Sequence, residues 1–80
     1  MLVETLGSLV DKLAIINIRL WHLEERRRDR TLADADRLSA ADMIADANVQ
    51  RNALIDEIDS LVNAAIERGS APQARKLKLY

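Results

Sequence analysis

The chain has 80 residues, enough for one domain and too few for two. It has no cysteine and a single histidine, which excludes a disulfide, a thiolate metal site and a multi-histidine metal site within one chain. The formal net charge is −1, so the molecule as a whole has no electrostatic attraction to nucleic acid or to a membrane surface. We therefore expect a small soluble domain that uses no metal and no cofactor and binds neither nucleic acid nor membrane.

The N-terminus and the most apolar stretch of the chain bear on localisation. The acidic Glu4 stands where a secretory signal peptide has its basic region. The most apolar run, residues 13–23, contains Asn17, Arg19 and His22 and is far shorter than the roughly 20 apolar residues that span a bilayer. The sequence therefore predicts a cytoplasmic protein.

A first helix is predicted over about residues 2–28, where apolar residues recur at alternating intervals of four and three. They form one seam, which consists of Leu2, Leu6, Leu9, Leu13, Ile16, Leu20 and Leu23. Between residues 14 and 21 the apolar character spreads around the helix and includes Ile15, Ile18 and Trp21. One partner helix cannot cover a helix that is apolar nearly all round. These three residues are therefore predicted to form an interface.

A second helix is predicted over about residues 40–68, after a polar connection over residues 29–39. Ser39 is the expected N-cap, Gly69 is the expected residue after the C-terminus, and Pro72 prevents continuation of the helix. The seam of this helix includes one charged residue and consists of Ile44, Ala47, Arg51, Leu54, Ile58, Leu61 and Ala65.

Two basic segments lie beside these helices. Residues 26–28 and Arg30 are arginines, and cations at a helix C-terminus interact favourably with the helix dipole. A solvated helix end explains them most simply, and an acidic or phosphate-bearing partner is the alternative. Residues 71–80 form a basic tail that we expect to be flexible and dispensable for folding. Its alternating residues 76–79 would also suit an added strand.

Together the two helices predict an all-α fold, an antiparallel helical hairpin over residues 1–70. A single core in so short a chain rarely contributes more than about 3–5 kcal/mol, so small domains usually need a staple or an oligomer. We therefore expect a homodimer in which two hairpins form a four-helix bundle.

Two segments resemble the motifs of a known family. Residues 5–25, TLGSLVDKLAIINIRLWHLEE, resemble the signature of the bacterial DUF4254 family, and residues 48–59, NVQRNALIDEID, resemble its second motif. The resemblance is to the C-terminal half of that family, whose members have further helices ahead of this portion. It implies an all-helical fold. Members tend to lie among genes for polysaccharide or other small-molecule biosynthesis, which implies an accessory or binding role and a larger biosynthetic enzyme as a second kind of partner.

The same two motifs place polar residues on both helices at similar heights. In an antiparallel hairpin centred near residue 34, Asn17 faces the region of Asn52, and Arg19 faces that of Gln50. The candidate ligand-binding residues are Asp11, Lys12, Asn17, Arg19, His22, Gln50, Arg51, Asn52 and Asp56.

Two of these residues have competing interpretations. Arg51 interrupts an apolar seam, so we predict that it is largely buried and paired with an acid of the first helix, of its own chain or its partner's, with Asp11 as the first candidate. The alternative is an anion-binding arginine. His22 is expected to be a hydrogen-bonded packing residue, with a ligand contact or acid–base role as the alternative. His22 and Glu25 have the i, i+3 spacing of metal-binding bundles, but there is only one such pair and no metal is expected.

Two functional hypotheses follow from these observations. The first is a non-catalytic helical module that oligomerises and supports a polysaccharide or small-molecule biosynthetic pathway. The second is a small-molecule enzyme or binder with an anion site between the helices. Residues 51–68 resemble the first helix of the AroQ-type chorismate mutases, in which two arginines, here Arg51 and Arg68, bind substrate carboxylates. The later helices of that family have no counterpart here. The first hypothesis is preferred, and no catalytic residue is assigned.

Overall fold

Two α-helices make up the part of the chain that the computed structural model describes, residues 4–69. Helix α1 spans Leu6–Arg28 and helix α2 spans Asp34–Arg68, and no strand lies within these residues. A five-residue connection reverses the chain, so the helices pack side by side in opposite directions. The predicted all-α helical hairpin is confirmed. Residues 1–3 and 70–80, including the predicted tail and Pro72, lie outside the described residues.

Helix α1 begins at Leu6 and not near residue 2, because Thr5 forms its N-cap. The Thr5 hydroxyl oxygen accepts a hydrogen bond from the Ser8 N–H at 3.1 Å, and the Ser8 hydroxyl oxygen accepts one from the Thr5 N–H at 3.0 Å. This reciprocal capping box satisfies two donors that the helix start would otherwise leave unpaired. The helix ends at Arg28, with three arginines in its last turn.

Helix α2 begins at Asp34, six residues before the start predicted from Ser39. Ala33 has the extended backbone of an N-cap, and its carbonyl accepts hydrogen bonds from the N–H groups of Asp36 and Arg37 at 3.0 and 3.1 Å. Asp34 and Asp36 place two carboxylates in the first turn, where the helix dipole favours negative charge. Ser39 consequently lies inside the helix and is not its cap.

The C-terminal end of α2 is set by glycine. Gly69 has a φ of +69°, in the left-handed region that a residue with a Cβ rarely adopts. Its N–H donates to the carbonyl groups of Ala65 and Ile66, which would otherwise lack partners at the helix end. Helix α2 therefore ends at Arg68, where the sequence pattern places its end.

The core between the helices is narrow. Its buried side chains are Leu9, Ile16 and Leu23 from α1 and Ala40, Ala47 and Ala65 from α2. The centre of the core is formed by Ile16, Leu23 and Ala47, against which Leu20, Ile44 and Leu54 are packed. Small alanines on α2 let the helices approach closely, but they bury little apolar surface. No polar or charged residue within residues 4–69 is buried.

The hairpin is a rod, with extents of 53 × 23 × 22 Å. A 35-residue helix is about 52 Å long, so α2 sets the length of the molecule. In the part of the chain that the structure describes, the two helices form a single layer in which each helix has one helical neighbour. Eight large apolar side chains among residues 4–69 are consequently exposed: Val10, Ile15, Ile18, Trp21, Leu38, Met43, Val49 and Ile66.

Candidate functional site

The largest group of exposed apolar residues lies on one side of α1. Successive residues of an α-helix are turned by about 100°, so residues three and four apart share a side. By this rule, a set of residues centred on Ile18 is turned away from the buried Leu9 and Ile16. We call this set the outer face of α1, and it consists of Val10, Ala14, Ile15, Ile18 and Trp21.

The exposure of the outer face is substantial. Ile15, Ile18 and Trp21, the three residues predicted to form an interface, are 57%, 59% and 62% exposed, and Val10 is 50% exposed. These side chains are exposed because helix α2, the one helix that packs against α1 within residues 4–69, covers the opposite side of α1. A contiguous apolar patch of this kind is typical of an interaction surface, whereas scattered single apolar residues are normal.

Arg51 lies beside the core and has a different partner from the one predicted. Its Nε–H donates a hydrogen bond to Oδ1 of Asn17 at 3.0 Å, and the residue is half-buried. Asp11 is exposed and does not contact Arg51 within residues 4–69. The predicted buried ion pair with Asp11 of the same chain is wrong, and the guanidinium instead makes a charge-assisted hydrogen bond to an amide oxygen at the edge of the core. Arg51 stays half-exposed because charge is costly to bury without an opposite charge.

A groove of about 460 Å³ runs between the helices along one flank. Its walls are apolar and consist of Leu9, Ile15, Ile16, Ala53 and Leu54, and its rim consists of Glu4, Lys12, Gln50 and Glu57. Lys12 forms an ion pair with Glu4. Hydrogen bonds from Lys12 and then from the Ser8 hydroxyl hold the pKa of Glu4 below its usual value. The groove therefore suits apolar groups, and two of its charged rim residues already neutralise each other.

A smaller hollow of about 110 Å³ brings two predicted site residues together. Arg19 from α1 and Gln50 from α2 line it, together with Met43, Asp46 and Ala47. Arg19 and Gln50 thus lie at similar heights on the two helices and border the same hollow. Asp46 adds a carboxylate that the sequence pattern did not single out.

His22 lies on the exposed side of α1 near its C-terminal end. Its Nδ1 lies 3.3 Å from Oε1 of Glu25, and both side chains are more than half exposed. Its ring lies edge-on to Trp21, with ring centroids 5.3 Å apart and an interplanar angle of 69°. These are local contacts within one helix, and His22 does not reach Arg51 or Arg19.

The predicted polar residues therefore form separate small groups and not one site. Asn17 is hydrogen-bonded to Arg51, and Arg19 and Gln50 line one hollow, while Asp11, Asn52 and Asp56 are exposed. Within residues 4–69, no group of three or more histidine, cysteine or acidic side chains is placed to hold a metal ion.

The tip of the hairpin contains contacts that the sequence pattern did not single out. The Asp29 carboxylate accepts hydrogen bonds from the Thr31 N–H and hydroxyl, and these bonds hold the pKa of Asp29 below its usual value. Arg37 donates to the carbonyl oxygen of Arg27 at 3.0 Å and so caps the end of α1. Arg27 is paired with Glu24. An aspartate two residues before a threonine is a typical turn signal, which could have placed the turn within the predicted connection.

The fold defines a helical hairpin with an uncovered apolar face on one helix. A family model described as "Protein of unknown function (DUF4254)" matches residues 7–78, so the chain belongs to this family. The resemblance seen in the two sequence motifs is thereby confirmed. No curated protein and no solved structure matches the chain. Within residues 4–69, neither helix has the length and apolar character needed to cross a membrane.

Proposed function

We propose that the chain is an oligomerising helical module that acts as an accessory or binding component in the biosynthesis of a polysaccharide or small molecule in the bacterial cytoplasm. Two copies form a homodimeric four-helix bundle in which the outer faces of α1 meet. The observation that supports this proposal is the outer face itself, with Ile15, Ile18 and Trp21 each more than half exposed.

The weak core of the hairpin supports the same proposal. Only six side chains are buried within residues 4–69, and three of them are alanines. Full burial of a large apolar side chain contributes about 1.5–3 kcal/mol, so half-exposed residues on two copies retain a large unused contribution. Pairing the outer faces removes that apolar surface from water without disturbing the inner seam.

Light scattering during size exclusion tests the assembly. The wild-type chain is expected to elute at twice the mass of 9.0 kDa at micromolar concentration. Ile18→Asp places a charge at the centre of the outer face and is expected to give monomers, and Trp21→Ala is expected to weaken the dimer. Val49→Asp is the matched control, because Val49 is 70% exposed but lies on α2 among polar neighbours.

The outcomes separate the possible partners. A helical wild-type monomer at micromolar concentration would contradict the homodimer. In that case, Ile18→Asp abolishing co-purification with one larger biosynthetic enzyme would support a heteromeric module instead. Equal effects of Ile18→Asp and Val49→Asp would contradict the assignment of the interface to α1.

An anion-binding function is the second candidate, and the geometry of Arg51 favours it. Asn17 engages only the Nε of this half-buried guanidinium, and its two terminal nitrogens make no hydrogen bond within residues 4–69. Arg51 and Arg68 are 17 residues apart on one helix, or about 25 Å along its axis. One small dicarboxylate cannot reach both within a chain, so a chorismate-mutase-like site would need arginines from two copies.

Thermal-shift titration with small dicarboxylates and sugar nucleotides tests this second candidate. A rise in the thermal midpoint that is lost in Arg51→Met but kept in Arg26→Met would support an anion site at Arg51. Arg26 is a suitable control because it is an exposed arginine at the far end of α1. An unchanged midpoint with every ligand would leave the non-catalytic module as the function.

A further inference from the structure

The outer face of α1 also carries a sequence pattern that bears on the direction of a helix packed against it. Asp11, Ile15, Ile18 and His22 follow one another at intervals of four, three and four residues. These intervals keep all four residues within a narrow stripe along the helix. The stripe is symmetric in position about the midpoint between residues 16 and 17. It has two apolar residues at its centre, an acid at one end and a histidine at the other.

All four residues of the stripe are exposed and available for a partner. Asp11 makes no hydrogen bond or ion pair within residues 4–69, unlike Lys12 beside it. Nδ1 of His22 lies against the Glu25 carboxylate, which only accepts hydrogen bonds, so Nδ1 is the donor in this contact and Nε2 becomes a second donor when the ring is doubly protonated. Asp11 therefore has no donor partner within residues 4–69, and the protonated ring of His22 has an Nε2–H that can donate to a carboxylate.

Whether Asp11 of one copy meets His22 of the other depends on whether the two α1 helices run parallel or antiparallel. In a parallel symmetric pair, Asp11 would face Asp11 and His22 would face His22, so like groups would meet. In an antiparallel pair centred between residues 16 and 17, each Asp11 faces His22 of the second copy, and each Ile15 faces Ile18. Complementary charge fixes the orientation and register of interfaces more than it adds affinity.

From this pattern we infer that the occupant of the outer face is a second copy of the chain whose α1 runs antiparallel, with Asp11 hydrogen-bonded to His22 of that copy. The inference rests on the proposed homodimer and specifies its register. A two-fold axis perpendicular to both helices brings equivalent flanks together. Trp21 then lies between Val10 and Ala14 of the second copy, so the apolar flank of the stripe is covered as well.

Cysteine cross-linking tests the register directly, because the chain has no cysteine of its own. Ile15→Cys and Ile18→Cys are made separately, given tags of different size, mixed as dimers and oxidised. Antiparallel pairing places the two different cysteines opposite each other. The mixed disulfide is expected to exceed the two same-variant disulfides together. Predominant same-variant disulfides would overturn the register while leaving the homodimer intact.

Charge exchange tests the paired ends. Asp11→Lys and His22→Glu are each expected to raise the dimer dissociation constant about tenfold, because every change affects two symmetric contacts. The double variant restores opposite charges and is expected to return close to the wild-type constant. Additive weakening in the double variant would overturn the Asp11–His22 contact. A wild-type chain that is monomeric throughout would instead overturn the proposed function on which the register depends.

Discussion

The two helices of the hairpin use their surfaces in opposite ways. Helix α1 places leucine and isoleucine in the core and keeps large apolar residues on its outer face as well. Helix α2 places alanines in the core, and its solvent side carries most of the acidic residues, including Asp42, Asp56 and Asp59. Helix α2 also exposes Leu38, Met43, Val49 and Ile66, but these are spread along and around the helix, as single apolar residues on an ordinary surface helix are. Helix α1 has the composition of a helix that is covered on two sides, although the hairpin covers only one.

The largest effect is expected where α1 faces α2. Ile16→Ala removes a buried side chain from the centre of the core and is expected to lower the free energy of unfolding by about 2–4 kcal/mol. Ile15→Ala is the matched control, because Ile15 precedes Ile16 in the same helix and is 57% exposed. Urea denaturation followed by circular dichroism measures both. The cost of Ile15→Ala should rise with protein concentration, while a cost independent of concentration would contradict its place in an interface.

The close approach of α2 can be tested by adding volume. Ala47 is buried against Ile16 and Leu23, so Ala47→Leu is expected to lower the free energy of unfolding by about 1–3 kcal/mol through overpacking. Ala45→Leu changes an exposed residue of the same helix and should cost nothing measurable. Denaturant midpoints of the two variants make the comparison. Stabilisation by Ala47→Leu would show that the helices are further apart than the structure places them.

Arg51 is the polar exception in the inner seam of α2, and replacing it should have a small effect. Arg51→Met loses the hydrogen bond to Asn17 but adds apolar surface beside Leu54. The expected change in the free energy of unfolding is less than about 1 kcal/mol in either direction. Asn17→Ala is the companion variant, and it should be equally mild because Asn17 is exposed. A loss several times larger in Arg51→Met would mean that Arg51 pairs with an acid in the assembled protein.

The connection between the helices should give the smallest effect, visible as a pH dependence. The pKa of Asp29 is lowered by hydrogen bonds from Thr31, so its carboxylate favours the fold above its usual pKa of 3.8. This contribution is lost as the pH falls below that value toward the lowered one. The thermal midpoint should therefore drop slightly below pH 4, and less so in Asp29→Asn. Asp36→Asn is the control, and an identical drop in both variants would contradict the assignment.

Much of the hairpin follows from local sequence patterns. The intervals of four and three place Leu9, Ile16 and Leu23 on one side of α1, and all three are buried. Gly69 ends α2 because its backbone adopts a left-handed conformation, which depends on one residue and its immediate neighbours. The start of α2 has no such local signal, because Ala33 has no capping side chain. Residues 34–38 favour a helix and extend α2 toward the N-terminus.

The sequence by itself determined the presence of two helices, their inner seams, the C-terminal end of α2 and the membership of the family, because periodicity, a terminal glycine and motifs are encoded locally. Only the tertiary structure decided which polar residues meet. It joined Arg51 to Asn17 and not to Asp11, because the angle at which each side chain leaves its helix decides contact as much as its height does. It also showed that the outer face of α1 is exposed, because exposure depends on the number of neighbouring helices, which no periodicity within one helix can specify.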